Sequence, residues 1–165
     1  MISTKKWWIT LAAITLGLFL LISAAQAELP YDITTCSSGT NTVLFSSKEL
    51  TIISSDSKGI AFSNDEDKTF DNTTFHCAGT IQIVNGKPSG NVFCKFLDPD
   101  GDVTVGETTL DGAEGTWKFL YGTGKWKGIT GGGKNLPITR GKSVVPGTSQ
   151  GCRRATGTYS LPKTQ

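Results

Sequence analysis

The sequence predicts an all-β fold, an antiparallel barrel of about eight strands. Three observations carry this. Short alternating or β-branched runs fill the chain after residue 27, each bounded by a turn-forming pair, and no amphipathic helical period appears among them. Glycine is abundant, 20 of 165 residues, without the three-residue period of collagen. Hydrophobic residues at 37 % and aromatics at 9 % are enough for a packed core and argue against a disordered chain.

The amino-terminal segment reads as a signal peptide, residues 1–27, leaving a single barrel domain over residues 28–165. Lys5 and Lys6 form a short basic region. Trp7–Ile22 is apolar apart from two threonines, and Ala25-Gln26-Ala27 is a small-x-small cleavage site. The apolar run is shorter than the ~20 residues a spanning helix needs, and no later segment can span a bilayer as a helix. The mature chain is therefore expected to be exported, to the periplasm or the extracellular space. No cysteine follows the cleavage site, so a lipid anchor is not indicated.

The expected strands run in order. They are Thr42–Phe45, Leu50–Ile53, Gly59–Phe62, Thr73–Val84, Asn91–Leu97, Val103–Thr109, Gly115–Tyr121, Lys125–Thr130 and Ala155–Leu161. Between them stand Asn64-Asp65, Asn85-Gly86, Asp100-Gly101, Asp111-Gly112, Gly122-Thr123-Gly124 and Pro146-Gly147, all turn chemistry. Gly131–Gly133, and Leu136–Gln150 with its two prolines, read as loop.

One hairpin can be registered from sequence. Asn85-Gly86 favours a two-residue type I′ turn. That turn sets Cys77 opposite Cys94, Phe75 opposite Phe96, Gly79 opposite Val92 and Ile83 opposite Pro88, all on one face. His76, Thr80 and Gln82 fall on the other. Counting from the turn puts Cys77 and Cys94 at a non-hydrogen-bonded site, where side chains approach most closely. A Cys77–Cys94 disulfide is expected. All four cysteines lie in the mature chain, so Cys36–Cys152 follows by elimination and would join the first strand region to the last.

Charge is unevenly distributed. Without Lys5 and Lys6 the chain carries 14 basic and 14 acidic residues. Every acid lies between Glu28 and Glu114, whereas nine Lys or Arg and no acid follow Gly115. A basic face for an anionic partner is one reading. The other, preferred here, is that strands of the two parts interleave and neutralise each other. A neutral chain offers no long-range steering toward nucleic acid, and no nucleic-acid partner is expected.

Few motifs suggest chemistry. The chain has one histidine, His76, so a multi-histidine metal centre is excluded within it. The cysteines lack CxxC spacing, and no metal or other cofactor is expected. Gly128 to Lys134 has the spacing of a phosphate-binding loop, but Pro137 stands where the required helix would begin. Asp98-Pro99-Asp100-Gly101-Asp102 starts like a calcium loop but lacks its sixth-position glycine and twelfth-position glutamate, and reads as a turn with solvated acids. His76 and Cys77 point to opposite strand faces and cannot form a nucleophilic pair, so no catalytic residue is assigned.

The candidate ligand site is an aromatic cluster with a cation. Trp117, Phe119 and Tyr121 share one face of a strand, and Trp126 follows the next turn. Of Arg153 and Arg154, one must point inward, and if Cys152 faces the core so does Arg154. An aromatic wall with one fixed cation suits an amphipathic anion such as a fatty or aromatic acid. The competing outcome is an internal ion pair of Arg154 with Glu107 or Glu114.

The stretch Gly115-Thr-Trp-Lys-Phe-Leu-Tyr-Gly-Thr-Gly-Lys-Trp-Lys-Gly-Ile-Thr-Gly, with Asp98-Pro-Asp-Gly-Asp before it and Gly151-Cys and Gly157-Thr-Tyr-Ser-Leu-Pro after it, resembles a group of small exported bacterial proteins. That group shares a GTWxF…GTGKWKGITG core and carries no assigned activity. The glycine pattern is also similar to the strand-turn-strand of allene oxide cyclase-like and dirigent-like barrels. This similarity implies a calycin-like eight-stranded barrel and transfers no catalytic residue. Two function classes follow. One is a non-enzymatic module that binds a small apolar or amphipathic molecule, or a cell-envelope component. The alternative is a cyclase- or isomerase-like barrel acting by positioning, with Arg154, Glu107, Glu114 and Tyr121 as its few ionisable candidates.

Overall fold

The computed structural model describes residues 27–163. The signal segment assigned to residues 1–27 lies outside them but for Ala27.

Eight strands form one closed antiparallel barrel, each paired with the next and the last with the first. They are β1 (Leu29–Ser46), β2 (Leu50–Ser63), β3 (Thr73–Val84), β4 (Lys87–Leu97), β5 (Val103–Asp111), β6 (Glu114–Gly122), β7 (Thr130–Arg140) and β8 (Thr148–Ser160). The all-β barrel expected from the sequence is the fold observed. Among the described residues no helix is long and apolar enough to cross a membrane.

The β3–β4 hairpin has the register derived above: Cys77 faces Cys94, Phe75 faces Phe96, Gly79 faces Val92 and Ile83 faces Pro88. Asn85 and Gly86 have φ of 49° and 82°, as a type I′ turn requires. Both disulfides form, Cys77–Cys94 with Cα atoms 4.0 Å apart and Cys36–Cys152 with Cα atoms 4.1 Å apart. The second ties β1 to β8 across the seam that closes the barrel.

Two stretches depart from the sequence reading. The first strands are far longer than expected: β1 begins at Leu29, and β2 runs unbroken through Ser54–Lys58. Their Thr- and Ser-rich segments lack an apolar alternation because several inward positions face a cavity, not a packed core. The strand expected at Lys125–Thr130 does not form before Thr130. Gly124–Trp126 is a 3₁₀ turn, and the strand follows it at Thr130–Arg140, where a loop was expected. The glycines that suggested a loop are strand residues in tight quarters. A methyl group on Gly133 would lie 2.0 Å from the Thr156 carbonyl oxygen and 2.7 Å from the Tyr31 hydroxyl. No helix begins near Lys134, so the phosphate-loop spacing has no structural counterpart.

Closure is complete only over part of the height. β8 pairs with β1 as far as Thr40. Beyond it the β1–β2 hairpin projects as a free-edged tip, held to the β7–β8 connection by the Asn41 N–H, which donates to the Gly147 carbonyl at 2.7 Å. The β6–β7 ladder is short, running only from Gly115–Asn135 to Lys118–Gly132.

Charge follows the fold only in part as expected. Arg154 of the basic part pairs with Asp32, and Lys125 pairs with Asp98 and Asp100. The other acids are spread over the barrel: Asp65, Glu66, Asp67 and Asp71 lie in the β2–β3 loop, Glu49, Asp111 and Glu114 lie at the turns of the opposite end, and Asp56 and Glu107 lie within strands.

Candidate functional site

The barrel has unlike ends. At one, the 3₁₀ turn and the β2–β3 loop fold inward as a plug. Phe70 enters from that loop and stacks on Trp126 with ring centroids 4.6 Å apart, and on Phe119 at 5.7 Å. Tyr31 and Tyr159 meet Phe70 edge-on at 5.7 and 5.5 Å. Offset and edge-to-face geometries place electron-poor ring edges on electron-rich faces. All five rings are buried.

Asp98 fastens the plug. Its carboxylate is buried and accepts from the Asp100 and Asp102 backbone N–H groups at 2.9 Å each, and from Trp126 Nε1–H at 2.8 Å. Lys125 Nζ stands 2.9 Å away and completes the set. Burial alone would raise its pKa. The hydrogen bonds from Lys125, Trp126 and the Asp102 N–H outweigh that and hold the carboxyl below the ordinary carboxylate range. The Asp-rich turn is thus a mechanical clasp. Among the described residues no group of three or more His, Cys, Asp or Glu is arranged to hold a metal.

Above the plug lies a cavity of about 800 Å³. It opens at the other end between the turns at Gly86 and Gly112-Ala113 and the strand ends at Arg140 and Ser149. Its deep wall is largely aromatic, with Phe75, Phe96, Trp117 and Phe119 and the Cys77–Cys94 disulfide beside Thr104 and Thr108, and Ile53, Ile81, Ile83 and Leu110 continue the apolar lining toward the mouth. The β1 and β2 walls are lined by Thr35, Ser37, Ser55 and Ser57. Trp117 reaches its position because Gly106 has no side chain: a methyl there would sit 2.2 Å from the indole.

The residues assigned from sequence separate into three places. Trp117 and Phe119 line the cavity. Trp126 does not; it is buried in the plug beneath. Tyr121 was expected on the same face as Trp117 and Phe119, yet it is 59 % exposed on the outside. A bulge between Val105 and Gly106 in the β5–β6 register leaves Leu120 and Tyr121 both outward and breaks the alternation.

Arg154 also points outward. Its Nε donates to Asp32 Oδ1 at 2.8 Å, with a second, closer contact from Nη2 to Oδ2. The hydrogen bond to Asp32 is the main cause raising the guanidinium's pKa. The inward expectation rested on Cys152 facing the core. Cys152 stands opposite Cys36 on the outer face, so the parity reverses and Arg153 turns in. The sequence contained this alternative, and in the structure the buried Ala155, two residues on, shares the inner face with Arg153.

Arg153 runs along the inner wall. Its Nε donates to Asn135 Oδ1 at 2.6 Å, and its Nη2 to the carbonyls of Asn135 and Ala113 at 2.8 Å each. Burial lowers its pKa from the ordinary arginine value, though a guanidinium stays protonated throughout the working pH range. Glu107 and Glu114, the expected internal partners, do not line the cavity: Glu107 stands across from Lys118, and Glu114 is exposed. His76 is on the outer face, 2.7 Å from Asp56 Oδ2.

No family model matches the sequence, and no curated protein matches it either. The fold does have a solved likeness. The pterocarpan synthase dirigent protein GePTS1 superposes with a TM-score of 0.53 at 9 % identity, covering 83 % of this chain and 93 % of that one. At that identity the likeness concerns architecture, and this chain shares its barrel fold with a dirigent protein.

Proposed function

We propose that the mature chain is an exported, non-enzymatic barrel that binds a small apolar or amphipathic molecule in its cavity. The observation that carries this is the cavity itself: about 800 Å³, with an aromatic deep wall and an aliphatic lining toward the mouth, plugged at one end and open at the other. Pockets for small ligands have this size and lining. A barrel that needed only to be stable would fill its interior with side chains. Two disulfides suit an oxidising compartment, in keeping with the export signal read from the sequence.

A second reading is a barrel that steers a reaction by positioning. The likeness to a dirigent protein described as a pterocarpan synthase favours it. Against it, the ionisable side chains on the cavity wall are Tyr31, Arg140 and Arg153, with no acid–base pair among them.

Native mass spectrometry of the protein purified from its own periplasm or medium is the test. A retained small molecule, released on unfolding, is the expected result. Apo protein alone, with no uptake from a lipid extract of the same cells, would remove the binding reading.

A further inference from the structure

Among the described residues Arg153 is a cation without a counter-charge. Its side chain lines the cavity, and its three hydrogen bonds go to neutral oxygens, the Asn135 amide and the Asn135 and Ala113 carbonyls. Those bonds use Nε and Nη2. A guanidinium has five N–H donors, and among the described residues Nη1 takes part in no hydrogen bond. Among the described residues the cavity wall includes no Asp or Glu, and Arg140 at the mouth is its one other cation. Neutral carbonyls orient a guanidinium and leave its charge uncompensated. A half-buried guanidinium held by neutral acceptors keeps its attraction for an anion that reaches it.

The position of this cation relative to the apolar wall matters. Arg153 lies level with Thr35 on β1 and reaches the β5–β6 turn at the mouth. Phe75, Phe96, Trp117 and Phe119 lie deeper, toward the plug. The cavity is thus aromatic at its deep end, and nearer the mouth it sets the Arg153 cation across from an aliphatic wall of Ile53, Ile81, Ile83 and Leu110.

We infer that the cavity takes an amphipathic anion, apolar body inward and anionic head at the Arg153 guanidinium beneath the mouth. This rests on the binding function proposed above and narrows the ligand's chemical class. A planar donor fork suits a carboxylate or a comparable oxyanion. Arg140, at the rim, adds a second positive charge on the path of entry.

Arg153 also has a mechanical role. Its bonds from β8 to Asn135 and Ala113 cross the short β6–β7 seam. The test therefore compares ligands before it compares variants. Decanoate, decanol and decyltrimethylammonium share one tail and differ in head charge. Each is titrated against the full mature protein, with tryptophan fluorescence read through Trp117.

Decanoate is expected to bind at least tenfold more tightly than decanol, and decyltrimethylammonium most weakly. Arg153→Gln should bring decanoate to the level of decanol. Arg153→Lys and Arg154→Ala should keep the preference. Equal binding of decanoate and decanol by the native protein overturns the anionic head and leaves the cavity reading intact. Binding of none of the three overturns both. A folded Arg153→Gln that still prefers decanoate overturns Arg153 as the anchor. Should that variant fail to fold, the decanoate-to-decanol ratio of the native protein decides.

Discussion

The two ends of this barrel are made of the same kind of chain and do opposite things. At the plugged end, Phe70, Trp126, Tyr31, Tyr159 and Phe119 form a continuous aromatic cluster, clasped by the buried Asp98 carboxylate. At the open end, hairpin tips stand apart around a void. Their apolar side chains, Val43, Leu44, Phe45, Val144 and Val145, are exposed, Val144 by 81 %. The difference lies in the connections. The plugged end has the longer, Asp-rich loop Asn64–Asn72 and the 3₁₀ turn, which fold back into the lumen. The open end has the two-residue turns at Asn85-Gly86 and Gly112-Ala113, and a longer β7–β8 connection, 141–147, whose Val144 and Val145 stay in solvent. A barrel of this strand number has room for side chains or a ligand, and which connections carry aromatic side chains back into the lumen, Phe70 and Trp126 at one end and none at the other, divides it between the two.

The contrast can be broken most directly at Trp126. Trp126→Ala removes a buried indole and its stacking on Phe70, and should destabilise the protein by about 4 kcal/mol in denaturant unfolding. A cost no greater than that of a rim substitution would mean the aromatic plug does not anchor the fold.

Asp98 sharpens the comparison through pH. Asp98→Asn turns an amide N–H toward the Trp126 or Lys125 donor and should cost about 2 kcal/mol near neutral pH. The native carboxyl has a lowered pKa, so its stabilisation is complete above the ordinary carboxylate value of about 3.9. It is lost as pH falls below that value toward the lowered one. The stability gap between native protein and Asp98→Asn should thus be constant above about pH 5 and narrow below about pH 4. A gap that stays constant through acid unfolding would show that the carboxylate's charge contributes nothing to the clasp.

The smallest effect belongs to the rim. Leu44→Ser combined with Val144→Ser should change unfolding free energy by less than about 0.5 kcal/mol, because both side chains are already in solvent. A larger loss, followed by thermal melting, would place the rim in the core's cooperative unit and erase the contrast.

Much of the fold was legible locally. Asn85-Gly86 has one strongly preferred turn type, and that turn determined a register, a face and a disulfide at once. Other features were hidden by long-range effects. Arg153 and Arg154 differ by one step, and the local pattern cannot say which faces in, because Cys152 forms its disulfide on the outer face as readily as Cys77 does on the inner. Tyr121 was misplaced for a related reason: the bulge at Leu120 adds one residue to β6, and nothing in Trp117–Tyr121 marks it.

The residues alone therefore determined the all-β class, the turns and both cysteine pairings, since each depends on backbone preferences or pairings within a hairpin and its remainder. Only the closed barrel decided that Thr130–Arg140 is a strand, that Phe70 and Trp126 form a floor, and that Arg153 is the lumen's inner cation. Those outcomes depend on which strand lies beside which. A Gly-rich segment becomes β-structure when neighbouring backbones leave no room for side chains, and an arginine is inward or outward according to the register of a strand far away in sequence.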